Sequence, residues 1–95
     1  MIETIRITQS DVIEINPLYL YRWEEPQQSH VLLYPEGVVK LNESAAAILG
    51  LCDGRRSVEK IIDELSTEYS GVDIANGVHK FLEVSHAKSW IRIKP

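Results

Sequence analysis

The 95-residue chain has a single cysteine, a single methionine and a single phenylalanine, and aromatic residues make up only 7% of it. A lone thiol, Cys52, cannot form an internal disulfide, so the fold must be held by a packed core. No apolar run approaches the length needed to span a membrane. Positive charge is scarce: 10 Lys and Arg face 14 Asp and Glu, for a formal net charge of −4. Without a Lys/Arg cluster, the main source of nucleic-acid affinity is missing. The stretch Met1 to Arg6 lacks a basic segment followed by an apolar one, so a cytoplasmic location is expected. There is also no glycine-rich phosphate loop, no Cys-x-x-Cys and no Ser/His/Asp set worth naming. With these signatures absent, the chain is expected not to be an enzyme, with no catalytic residue, metal site or cofactor.

What is present is ordinary for a globular domain: 44% apolar and 25% charged residues. A chain of this length buries roughly 60–65% of its unfolded surface, enough for one core. The stretch from His30 to Asn42 organises the rest. Its two β-rich runs, His30–Tyr34 and Val38–Leu41, flank Pro35-Glu36-Gly37, which reads as a turn with Gly37 able to take a positive φ. Upstream, Leu18–Trp23 reads as a further strand and Glu24–Ser29 as a polar connection, giving a three-stranded meander. Residues 1–16 fit neither helix nor strand period and read as an N-terminal arm, with the domain proper spanning 17–95.

Asn42 is a favoured N-cap, Leu41 can staple onto Ala46, and Ala45, Ile48, Leu49 and Cys52 recur at helical spacing. Asp53-Gly54 is expected to end this helix, with Gly54 in the left-handed position. Ser57 can cap a second helix with a stripe of Val58, Ile61, Ile62, Leu65 and Tyr69, broken by Ser70-Gly71. Asp73 can cap a third, in which Ile74, Val78, Phe81, Leu82 and Ser85 share a face, and Ser89–Ile93 alternates weakly as a terminal strand. The expected fold class is α+β: winged-helix-like, a three-stranded antiparallel sheet followed by three helices.

A winged-helix shape raises DNA binding, with the third helix as reader. Its exposed set Asn76, His79, Lys80, Glu83 and His86 holds one firm positive charge against one negative, which argues against that role. His79 and His86 stand two turns apart, roughly 10 Å along the helix, too far to share one metal ion. Cys52 falls on an apolar stripe and reads as a small buried hydrophobe. Arg55-Arg56 reads as a solvated loop pair. The remaining assets are a sheet edge and an apolar groove beside it, the combination that receives an extended peptide as an added strand. On this reading Val38, Val39, Lys40 and Leu41 supply the backbone edge, while Val78, Phe81, Leu82 and Ser85 floor the groove.

His30 to Gly37, Leu41 to Leu49 and Leu51-Cys52-Asp53-Gly54 together resemble the PqqD family. The likeness extends to Pro17-Leu18, Arg22-Trp23, Ser57-Val58, Ile61, Leu65, Tyr69, Val78, Phe81-Leu82 and Trp90. Two positions depart from the family pattern: Gly77, where Asp is usual, and Ser89, where Gly usually precedes the tryptophan. The resemblance implies a peptide chaperone in the synthesis of pyrroloquinoline quinone (PQQ), which binds the precursor peptide PqqA and presents it to the radical SAM enzyme PqqE. It also implies that the peptide adds beside the third strand and against the third helix. Two other readings stay open: the same binding mode with a different ribosomally made client and its maturase, or an acidic winged-helix regulator. As to assembly, either a monomer or a strand-swapped dimer fits a domain this small.

Overall fold

The computed structural model describes residues 6–69 and 73–95. The expected meander is present: β2 (Leu20–Glu24), β3 (Ser29–Tyr34) and β4 (Gly37–Lys40) form an antiparallel sheet in the order β2-β3-β4. Leu20 pairs with Leu33 and Leu33 with Val38; one residue along, Tyr21 pairs with Leu32 and Leu32 with Val39. The β3–β4 turn is the two residues Pro35 and Glu36, closed by the Tyr34–Gly37 pair. Neither Glu36 nor Gly37 takes a positive φ. Pro in the second turn position and Gly in the fourth suit a type I turn, so the glycine is used for its place, not for a left-handed conformation. The polar connection contains a short 3₁₀ turn, Glu25–Gln27, followed by Gln28 in the left-handed region.

Three helices follow: α1 (Glu43–Gly50), α2 (Val58–Glu68) and α3 (Ile74–Ala87). Both expected side-chain caps form, Asn42 accepting from the Ala45 N–H and Ser57 from the Lys60 N–H. Asp73 occupies the N-cap of α3 but makes no side-chain cap bond. The break expected at Ser70-Gly71 lies outside the described residues.

The main departure is a second antiparallel sheet. Between α1 and α2 the chain forms β5 (Asp53–Ser57), and β6 (Ile91–Ile93) ends the fold. Both pair with β1 (Val12–Ile15), giving the order β5-β1-β6. Four residues of the segment expected to be an arm are therefore a central strand, with Ile13 fully buried between its neighbours. Period alone could not find it, because a four-residue strand with one fully buried position gives almost no pattern. The same sheet explains why Gly54 does not end α1, which closes at Leu51. Gly54 sits within β5 at φ +78, beside a register shift in the β1–β5 ladder, and is buried. A positive φ at a bulge is the glycine's task here.

One core joins the layers. Ile7, Ile13, Leu32, Leu41, Leu49, Val58, Ile61, Val78, Leu82 and Ile91 all contribute buried side chains. Leu32 is fully buried on the face of the meander that joins this core, and Tyr21 on the same face donates its hydroxyl to the Ala46 carbonyl in α1 at 2.8 Å. This fixes which face of the meander looks inward. Asn16 ties the two sheets to the end of α3: its amide donates to the Ser89 carbonyl and its backbone N–H to the Trp90 carbonyl.

Candidate functional site

A strand offers its backbone only where its neighbour does not use it, and among the described residues β4 is an outer strand with β3 alone beside it. Antiparallel pairing alternates, so successive residues point their N–H and C=O to opposite sides of the strand. Leu41 donates its N–H to the His30 carbonyl at 3.0 Å, which sets the phase. Val39 and Gly37 then face β3, while Val38 and Lys40 turn their N–H and C=O groups to the open side. An incoming strand would find two outward-facing residues there.

The side chains of the same stretch divide between two faces. Val39 is half-buried against the core and Leu41 is buried, whereas Val38 and Lys40 are exposed on the outer face. Among the described residues no carboxylate lies within 4 Å of the Lys40 ammonium, while nearby Arg22 is paired with Glu24 at 3.0 Å.

On α3 the expected groove residues separate. Val78 is almost wholly buried but reaches a cleft, and Phe81 is half-buried against the core. Leu82 and Ser85 are fully buried and have no surface to offer a peptide, so they belong to the core and not to a groove floor. Helical spacing groups residues that share a face, but cannot say how much of that face the rest of the protein covers.

The cleft itself lies among α1, α2 and α3, with a volume of about 340 Å³, lined by Ser44, Ala47, Ile48, Ile74, Gly77 and Val78 among others. Most of these were not expected as site residues. The available signal was the small residues at Ser44, Ala47 and Gly77, which leave space where larger side chains would close two helices together. Among the described residues no atom lies within 4 Å of where a Gly77 Cβ would stand, so its position is open. Because Ser44 lies four residues past Lys40, the cleft begins near the end of β4.

Reactive groups are scarce. Burial, and then the negative charge of Asp53, push the Cys52 thiol up to about 12, so it stays protonated at neutral pH. Among the described residues no cluster of three or more His, Cys, Asp or Glu could hold a metal ion. The arrangement can bind an extended chain through backbone and apolar contact.

Residues 29–91 match the family model of coenzyme PQQ synthesis protein D (PqqD). The chain belongs to the PqqD family. Proteins named PqqA binding protein are similar to it: that of Pseudomonas entomophila is 50% identical over 81% of this chain and 86% of its own length. That of Methylococcus capsulatus is 46% identical over 85% and 87%, and that of Azotobacter vinelandii 46% over 90% and 95%. The fold is similar to the solution NMR structure of the PqqD truncation of Methylobacterium extorquens PqqCD, a functional and stand-alone recognition element for ribosomally synthesized and post-translationally modified peptides. That match has a TM-score of 0.73 and 30% identity, covering 90% of this chain and 94% of the other. The α+β class expected from sequence is thus that of a solved PqqD. No helix of the described residues is long and apolar enough to cross a membrane.

Proposed function

We propose that this chain binds a PqqA-type precursor peptide as a strand added to β4 and presents it to the radical SAM enzyme PqqE in PQQ biosynthesis, taking no part in bond chemistry itself. The observation that carries this reading is the open edge of β4, with the backbone groups of Val38 and Lys40 facing outward. The names of the similar proteins, which bind PqqA, support the choice of client. A peptide lying along that edge and continuing past Lys40 meets the α1–α3 cleft, where Ile74, Gly77 and Val78 accept an apolar side chain. Holding the peptide on a carrier that docks on the maturase raises its effective concentration at the active site.

The test uses proline, which removes one N–H donor. Lys40→Pro and Val38→Pro each delete an outward donor, and a net hydrogen bond of about 0.5–1.5 kcal/mol corresponds to roughly 2- to 10-fold weaker PqqA binding. Val39→Pro deletes a donor that faces β3 and is expected to lower the melting temperature instead. If Val38→Pro and Lys40→Pro both remain folded by circular dichroism and bind PqqA with the parental Kd, strand addition at this edge is wrong.

A further inference from the structure

The outer face of the meander carries two cross-strand rows. In one, Leu20, Leu33 and Val38 are successive pairing partners; in the next, Arg22, Val31 and Lys40 are. The opposite face, with Tyr21, Leu32 and Val39, rests on the helices. The first row is apolar yet largely uncovered, Leu20 being 54% and Val38 49% exposed. In the second, Val31 is fully buried, Arg22 is already paired with Glu24, and Lys40 has no carboxylate within 4 Å among the described residues. Both rows end on β4, at the two residues whose backbone faces the open edge.

We infer that these rows continue into the bound peptide, so that the protein reads two of its side chains: an apolar one beside Val38 and an acidic one beside Lys40. This rests on the strand-addition reading and deepens it by naming the chemistry of the client. The geometry requires the two positions to be two residues apart, since only alternate side chains of a strand share a face. An aliphatic or aromatic side chain beside Val38 extends the Leu20–Leu33–Val38 row and covers apolar surface now in water. A carboxylate beside Lys40 gives its ammonium the partner that Glu24 already gives Arg22. If the peptide runs antiparallel to β4, the acidic residue precedes the apolar one; if parallel, it follows.

The experiment measures binding of PqqA to the full chain and to Lys40→Glu and Val38→Asp, both exposed positions, with folding checked by circular dichroism. Each substitution is expected to weaken binding about 3- to 10-fold, the scale of a cross-strand pair turned from favourable to repulsive. Peptides with each Asp or Glu changed singly to Lys are then titrated against Lys40→Glu. One of them is expected to regain affinity for Lys40→Glu while losing it for the parent protein. The same peptide should have an apolar residue two positions from the exchanged site. Parental affinity in both protein variants, or weakening by Lys40→Glu that no peptide exchange restores, would overturn the inference. If Lys40→Pro weakens binding in the same assay while Lys40→Glu does not, strand addition stands and the side-chain reading alone falls. If the parent chain does not bind PqqA, both fall.

Discussion

Asp53 shows how much one carboxylate can organise at a strand start. One of its oxygens accepts the backbone N–H groups of both Arg55 and Arg56, and the other pairs with the Arg56 guanidinium, which also reaches Glu64 of α2. The Arg55 N–H, followed by that of Arg56 and its charge, holds the Asp53 carboxyl below the usual carboxylate range. A depressed folded value means that Asp53 adds stability above its unfolded pKa and loses it as the pH falls through the folded one. The acid limb of a stability-versus-pH curve, below about pH 4, should therefore be shallower in Asp53→Asn than in the parent. Urea titrations at pH 2 to 6 measure the difference. Ser85 is the opposite case: fully buried, with a hydroxyl that has no hydrogen-bond partner among the described residues. Ser85→Ala removes an unsatisfied polar atom and should raise stability by up to about 1 kcal/mol in chemical denaturation. It should leave PqqA binding unchanged, as befits a core position. Ser89 adopts φ +66 in the turn before Trp90, so the position calls for the left-handed conformation that glycine enters most freely.

Among the elements, α3 carries the clearest mark of a local rule broken. Gly77 is exposed within the helix, its φ is not positive, and a Cβ there would meet nothing within 4 Å among the described residues. Gly77→Ala should therefore stabilise the protein by about 0.5–1 kcal/mol, read as a higher urea midpoint with an unchanged slope. The meander, α1 and α2 were legible in the sequence because each has a local signal: alternating apolar residues, a Pro-Glu-Gly turn, and caps at Asn42 and Ser57. Strand β5 was not. Its sequence Asp-Gly-Arg-Arg-Ser has no β-branched or aromatic residue and reads as a helix terminus followed by a loop. Only its pairing with β1, more than 35 residues earlier, makes it a strand. The site was legible to the same degree: the β4 edge follows from local order, whereas the cleft depends on how three helices meet.

At the scale of the whole molecule, the two sheets differ in how far their partners lie along the chain. The meander joins neighbours, while β1 and β6 pair residues from opposite ends, such as Ile13 with Ile93 and Glu14 with Arg92. A chain beginning at Pro17 would lack β1, leaving β5 and β6 without the strand that joins them and removing fully buried Ile13 from the core. Such a truncation should lose the cooperative thermal transition of the full chain, as followed by circular dichroism. Loop closure over most of the chain must precede any gain from the β1–β6 pairing, and contacts of that kind form late. The β4 edge proposed to take the client lies in the local half, the long-range sheet in the other. In kinetic terms, the register of β3 and β4 is set by a two-residue turn and needs no contact between distant segments, so the edge proposed to meet the peptide can form before the β5-β1-β6 sheet closes.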